Sequence, residues 1–98
     1  IKKVFRHAAG GVKVGSTKPY FGHLVSAAGA IELLSVLYAF KNGCPPTLNF
    51  AEPGEGCDLD YSPEAGVKKR VSAALKNSFG LNGQNASIIL KKTNGKIN

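Results

Sequence analysis

Several residue types are scarce in this 98-residue chain, and each shortage excludes a class of protein. The two cysteines, Cys44 and Cys57, are too few and too isolated for a disulfide framework, so we expect a reducing compartment. No run reaches the roughly 18 uninterrupted apolar residues of a membrane span, because polar residues and glycine interrupt the longest candidate, residues 24–40. The sequence therefore predicts no membrane-spanning helix.

Acidic residues are scarce as well. Six carboxylates face thirteen Lys and Arg residues, which gives a net charge of +7. This balance fits a nucleic-acid, anionic-membrane or acidic-protein partner, and equally a solvated surface. The lysines and arginines are dispersed (2–3, 68–70 and 91–96) and no aromatic residue is interleaved with them, so we favour a solvated surface over a nucleic-acid footprint.

The apolar fraction of 43% indicates one small globular domain. The sequence opens on Ile1 rather than Met and has no signal or transit segment, which indicates processing or a piece of something longer. Periodicity predicts an α/β fold. The predicted elements are a helix end at 1–6, a short strand at 11–17, a loop to Gly22, a largely buried helix at 24–41, a proline loop at 44–56, an edge strand at 57–61, a turn at 62–66, a hairpin of strands 70–79 and 86–92, and a polar tail at 93–98.

Two common kinds of site are disfavoured by residue spacing. Gly10 and Gly15 have the glycine spacing of a phosphate-binding loop, but Ser16 and Thr17 stand where that motif needs Lys and then Ser or Thr. The two histidines and two cysteines lack the short spacing of a zinc site. We predict neither a metal nor a cofactor.

His23 and Glu32 raise a chemical question by their positions. His23 lies at the N-terminal end of the predicted long helix, which disfavours a further positive charge, so it is a neutral hydrogen-bond donor or a histidine satisfied by a backbone carbonyl in the core. Glu32 is a lone carboxylate among apolar residues, and it pairs with Lys18 or lies on an exposed helix edge. The turn at 80–85 forms part of an oxyanion hole or is an ordinary hairpin turn. Local features leave these alternatives open.

Four stretches together resemble a known family. "STKPYFGHLVSAAGAIE", "PPTLN", "DLDY" and "NSFGLNGQNASI" are similar, in order and spacing, to the C-terminal part of the fatty-acid elongating β-ketoacyl-[acyl-carrier-protein] synthases, the condensing enzymes of the thiolase-like fold. The resemblance implies that residues 1–98 are the C-terminal part of such a domain, incomplete at its N-terminal side. It implies a decarboxylative Claisen condensation between an acyl group on an active-site cysteine and a malonyl thioester.

The resemblance also implies roles for five residues. His23 would be catalytic and hydrogen-bond the malonyl thioester carbonyl, with Lys18 and Glu32 as its support. Phe79 would gate the acyl and malonyl pockets and, with Gly80, contribute a backbone N–H to the oxyanion hole. The implied partners are acyl carrier protein, acyl and malonyl thioesters and a second copy in a homodimer, without nucleic acid. The implied setting is soluble, in bacterial cytoplasm or in the matrix of a mitochondrion or plastid.

Two features depart from the family pattern. Leu81 and Asn82 replace residues of its F-G-F-G-G turn; asparagine can occupy the left-handed region, which would allow the turn to form, but the sequence leaves the geometry of the oxyanion hole open. Neither cysteine matches the family's nucleophile, and His7 does not match its first catalytic histidine. The alternative hypothesis is therefore a non-catalytic remnant that acts as a binding or assembly subunit.

Overall fold

The computed structural model of the chain describes residues 1–61 and 70–93. Its elements are helix α1 (Lys2–Phe5), a 3₁₀ turn (Arg6–Gly11), helix α2 (Lys18–Phe21), a second 3₁₀ turn (Val25–Ala27), helix α3 (Ala28–Asn42), and strands β1 (Ala73–Phe79) and β2 (Asn85–Lys91). The predicted α/β class and the helix at the start of the chain are confirmed. The predicted turn at 62–66 and residues 94–98 of the predicted tail lie outside the described residues.

The predicted hairpin is confirmed, although β1 begins three residues later than expected. The strands pair antiparallel, with Lys76 opposite Ile88 and Phe79 opposite Asn85. Exposure alternates along β1, so that Ala74, Lys76 and Ser78 form the less exposed face. This face is turned toward α3, which β1 contacts.

A three-residue turn at 81–83 closes the hairpin. Gly80 donates its N–H to the Gln84 carbonyl (2.6 Å) and accepts the Gly83 N–H (3.2 Å). Gly83 has a φ of 76°, in the left-handed region that favours glycine, and Asn82 is not among the residues with positive φ. The left-handed residue of this turn is therefore Gly83 and not Asn82.

Helix α2 corrects the predicted loop. Pro19 was expected to keep Lys18 out of a helix, yet both lie in a single helical turn. Proline is tolerated in the first turn because the N–H that it lacks has no intrahelical partner there. The turn ends at Gly22, whose N–H donates to the Lys18 carbonyl (2.7 Å) and whose φ is 76°. The chain therefore bends sharply just before His23.

The two short predicted strands, at 11–17 and 57–61, are wrong as strands. The structure has a single parallel bridge between Lys13 and Asp60. Val14 donates its N–H to the Asp60 carbonyl (2.8 Å), and Lys13 Nζ lies 2.7 Å from Asp60 Oδ2. The 3₁₀ turn that extends to Gly11 shortens the extended segment, so only one step of pairing forms.

Helix α3 ends at Asn42, before Gly43 with a φ of 92°, as predicted. Its predicted burial is wrong, because Ala39 is its one buried residue and Leu34, Leu37 and Tyr38 are more than half exposed. The elements described here therefore cover α3 incompletely. None of the described helices is long and apolar enough to cross a membrane.

The hairpin turn generates the first testable prediction. We expect Gly83→Ala to lower the free energy of unfolding by about 1 kcal/mol, because alanine is strained at positive φ. A Cβ at this position meets nothing within 4 Å, so no steric clash contributes. Urea unfolding measures the effect. Gly54→Ala is the matched control, since its Cβ also meets nothing within 4 Å and its φ is ordinary. An equal loss of unfolding free energy in both variants would contradict the attribution of the Gly83→Ala effect to its positive φ.

Candidate active site

Glu32 lies at the centre of the candidate site and is bonded to two lysines. Its side chain is 15% exposed on α3, and its Oε1 lies 2.6 Å from Lys18 Nζ. Its other oxygen, Oε2, lies 3.0 Å from Lys76 Nζ. The Lys18–Glu32 pair is confirmed, and the alternative of a glutamate on an exposed helix edge is wrong. One carboxylate therefore connects α2, α3 and β1.

Lys76 is a member of this cluster that the sequence reasoning missed. It lies on β1 and is only 10% exposed, whereas Lys18 is 46% exposed. The sequence feature that could have revealed it is the alternation of side chains along a strand, which places Lys76 on the same face as Ala74 and Ser78. A lysine on the packed face of a strand needs an anionic partner, because a buried unpaired charge is costly.

The two lysines determine the ionisation of Glu32. Burial alone raises the pKa of its carboxyl, but the hydrogen bonds from Lys18 and Lys76, with their positive charges, outweigh burial and lower the pKa below its ordinary value of 4.5. The carboxylate is therefore ionised at neutral pH. Its two oxygens accept from two different segments, so its orientation is set from both sides.

His23 is exposed and lies ahead of the second 3₁₀ turn, five residues before α3 begins at Ala28, and not at the N-terminal end of the long helix as expected. Its Nδ1 accepts a hydrogen bond from the Val25 N–H at 3.0 Å. A ring nitrogen that accepts carries no proton, so the proton of the neutral ring is on Nε2. In the neutral ring this contact leaves Nε2–H as a donor. The backbone partner is an N–H and His23 is exposed, so the alternative of a histidine satisfied by a backbone carbonyl in the core is wrong.

Backbone strain at Val25 accompanies this hydrogen bond. Val25 has a φ of 48°, which a β-branched residue rarely adopts. The left-handed conformation costs about 1–2 kcal/mol. Such strain is concentrated at functional sites, where it holds a particular geometry. Here it accompanies the turn of the backbone that brings the Val25 N–H to the ring of His23.

Phe79 and Gly80 lie at the end of β1 and differ in the availability of their N–H groups. The Gly80 N–H is bonded to the Gln84 carbonyl, so it is not available to an oxyanion and this part of the expectation needs correction. Hydrogen-bonded pairs alternate along antiparallel strands, which makes Phe79–Asn85 a non-hydrogen-bonded pair. The Phe79 N–H therefore points away from β2. Its side chain is 77% exposed.

The structure joins some of the predicted site residues and leaves others apart. Lys18 and Glu32 form a direct pair, and Lys18 and His23 are the two ends of a six-residue segment. In the described part of the chain, no hydrogen bond or ion pair joins His23 to Phe79. No group of three or more His, Cys, Asp or Glu residues within 1–61 and 70–93 is placed to hold a metal ion.

Comparison with known proteins identifies the relatives of this chain. Residues 1–51 match the family described as Beta-ketoacyl synthase, C-terminal domain. The 3-oxoacyl-[acyl-carrier-protein] synthase 2 of Coxiella burnetii is 42% identical over 93 residues, which are 94% of this chain and 22% of that protein. Nodulation protein E of Rhizobium meliloti is 37% identical over 94% of this chain and 23% of its own length.

A third relative comes from a eukaryote. The putative mitochondrial 3-oxoacyl-[acyl-carrier-protein] synthase of Schizosaccharomyces pombe is 45% identical over 81% of this chain and 19% of its own length. No solved structure matches the chain at a significant level. The chain spans about a fifth of the length of the curated relatives that it matches. It belongs to the beta-ketoacyl synthase family of condensing enzymes.

The ionised state of Glu32 generates a prediction about pH. A carboxyl whose pKa is lowered on folding stabilises the fold above its unfolded pKa, and this stability is lost as pH falls through the folded pKa. We expect Glu32→Gln to lower the free energy of unfolding at pH 7, and the difference from the unsubstituted protein to shrink below about pH 4.5. Urea unfolding between pH 3 and pH 7 measures it. The exposed Glu52→Gln is the control. A Glu32→Gln difference independent of pH would contradict the paired carboxylate.

Proposed function

We propose that this chain supplies part of the active site of a 3-oxoacyl-[acyl-carrier-protein] synthase, which condenses acyl and malonyl thioesters with loss of CO2 in fatty-acid biosynthesis. The observation that carries the proposal is the hydrogen bond from the Val25 N–H to His23 Nδ1, because it leaves Nε2–H as a neutral donor. Family membership and the relatives named 3-oxoacyl-[acyl-carrier-protein] synthase 2 support the reaction class.

His23 would act in the decarboxylation step. Its Nε2–H donates a hydrogen bond to the carbonyl oxygen of the malonyl thioester. The bond between the α-carbon and the carboxylate then breaks, CO2 leaves, and the electron pair moves into the enolate whose oxygen His23 stabilises. A neutral donor is suited to this role, since it strengthens its bond as charge develops without bringing a proton that quenches the carbanion. Lys18 and Glu32 hold the segment that carries His23.

Phe79 would act in the condensation step. The enolate carbon attacks the carbonyl of an acyl group held as a thioester on cysteine. The resulting oxyanion accepts a hydrogen bond from the Phe79 N–H. The C–S bond breaks, the 3-oxoacyl product forms, and the thiolate leaves. Cys44 and Cys57 do not match the family's nucleophile. The nucleophilic cysteine would therefore come from sequence outside these 98 residues, on the same polypeptide or another.

The remaining features of the proposal concern partners and setting. The net charge of +7 suits an acidic carrier protein, since opposite charge speeds encounter between partners. The proposed enzyme is a homodimer of bacterial cytoplasm or of an organelle matrix, and one relative is named mitochondrial. No nucleic acid takes part in this scheme.

The second candidate function is a non-catalytic binding or assembly subunit. The exposed apolar side chains of α3 favour it, because they suit packing against another polypeptide. The intact mass of the native protein in its source separates the two candidates. A species several times heavier than 10.3 kDa supports a condensing enzyme on one polypeptide, whereas a species near 10.3 kDa requires a separate cysteine-bearing subunit or a non-catalytic role.

The proposed role of His23 gives a direct prediction. In the polypeptide or complex that contains this chain and the nucleophilic cysteine, we expect His23→Ala to slow malonyl decarboxylation by about 100- to 1,000-fold, because an oxyanion donor is lost. Acylation of the cysteine should persist. Release of labelled CO2 from malonyl-carrier protein and the mass of the acylated enzyme measure the two steps.

The matched control for this experiment is His7→Ala, since His7 is also exposed and lies outside the candidate site. It should leave both steps unchanged. If decarboxylation and acylation both continue unimpaired in His23→Ala, His23 is a structural residue and the proposed mechanism is wrong.

A further inference from the structure

Lys76 has no role in the scheme above, yet it is the least exposed charged residue of the Glu32 cluster. It lies in the middle of β1, on the face turned to α3, with its side chain 10% exposed. Its Nζ lies over Gly29, where an added Cβ would be 3.5 Å away. It also donates a hydrogen bond to Ser78 Oγ on the same strand. The lysine is therefore held between the strand and the helix.

The contacts of Lys76 and Lys18 are complementary. Lys76 bonds to Oε2 of Glu32 and Lys18 bonds to Oε1, so each lysine has its own carboxylate oxygen. His23 follows Lys18 by five residues in the chain. Phe79 follows Lys76 by three residues on the same strand. The same carboxylate therefore fixes the positions of two segments, one for each proposed hydrogen-bond donor.

The position of the Phe79 N–H depends on where β1 lies. This N–H is in a non-hydrogen-bonded pair, so no bond to β2 fixes its direction. Its location follows from the placement of the strand against α3, and the Lys76–Glu32 pair is an ionic contact between these two elements. A displacement of about 1 Å at a donor of this kind costs as much as 100-fold in rate.

We propose that Lys76 is a positioning residue for the Phe79 N–H, acting through Glu32, while Lys18 positions the segment of His23. The inference rests on the proposed function and assigns each lysine to a different partial reaction. Loss of Lys76 affects cysteine acylation and condensation, because each forms a tetrahedral oxyanion at the acyl carbonyl that would accept a hydrogen bond from the Phe79 N–H. Loss of Lys18 affects decarboxylation, which uses His23. Loss of Glu32 affects both.

A purely structural role for Lys76 predicts a different result. If Lys76 served only the stability of the fold, its removal would change every activity to the same extent. In either single lysine variant Glu32 keeps its other lysine as a partner, so no unpaired carboxylate is left. The ratio of the two partial rates therefore distinguishes positioning from overall stability.

The experiment measures both partial reactions in the complete protein that contains the nucleophilic cysteine. The variants are Lys76→Met, Lys76→Gln and Lys18→Met, with Lys91→Met as the control for loss of one positive charge on an exposed strand position. The readouts are the rate of cysteine acylation from an acyl thioester and the rate of CO2 release from malonyl-carrier protein. Circular dichroism checks that each variant is folded.

We expect Lys76→Met to slow acylation by about 10- to 100-fold with CO2 release within about threefold of the unsubstituted rate. Lys18→Met should show the reverse, and Lys91→Met should change neither rate. Lys76→Gln, which keeps one neutral donor, should give an intermediate loss of acylation, and it decides the question if Lys76→Met does not fold.

Equal losses of both rates, or no loss, in the folded Lys76 variants would overturn the inference. Failure of the proposed function has a separate signature, because the unsubstituted protein would then show neither acylation nor CO2 release. A positive result in the unsubstituted protein with no split in the variants overturns only the role of Lys76.

Discussion

The pairing of the Glu32 carboxylate with two lysines, one on each oxygen, is the interaction on which the rest of the candidate site depends. The elements within residues 1–61 and 70–93 cover α3 incompletely, so apolar packing among them does not alone fix the segments around it. The charged contacts supply that constraint, since the carboxylate bonds to Lys18 of α2 and to Lys76 of β1. A largely desolvated ion pair needs good geometry to be stable, and the same requirement makes it a precise connection between segments.

Besides the Glu32 ion pairs, two backbone features position the proposed hydrogen-bond donors. Gly22 and Val25 both have positive φ, and together they bend the chain on either side of His23 until the Val25 N–H meets the ring. At the other end of the site, the hairpin register leaves the Phe79 N–H directed away from β2. In the proposed mechanism, one donor serves the enolate and the other serves the tetrahedral oxyanion, so the two partial reactions have separate structural supports.

Sequence patterns predicted the local elements better than their surroundings. The hairpin, the end of the long helix at Asn42 and the Lys18–Glu32 pair followed from alternation, turn residues and the cost of an unpaired carboxylate. The burial of α3 did not follow, because hydrophobic periodicity shows which faces are apolar and not what covers them. Lys76 was missed for a related reason, since strand alternation alone does not identify the element on the packed face. The left-handed residue of the turn was left open between asparagine and glycine, because both tolerate positive φ, and the structure places it at Gly83.

The ring ¹⁵N spectrum of His23 is the most direct measurement, because the proposed chemistry depends on which nitrogen carries the proton. It is recorded near neutral pH on the isotopically labelled protein, with the His7→Ala variant used to assign the two histidines. We expect Nδ1 of His23 to be unprotonated and hydrogen-bonded, and Nε2 to be protonated. A proton on Nδ1, or the averaged signals of an unconstrained imidazole, would contradict the proposed donor.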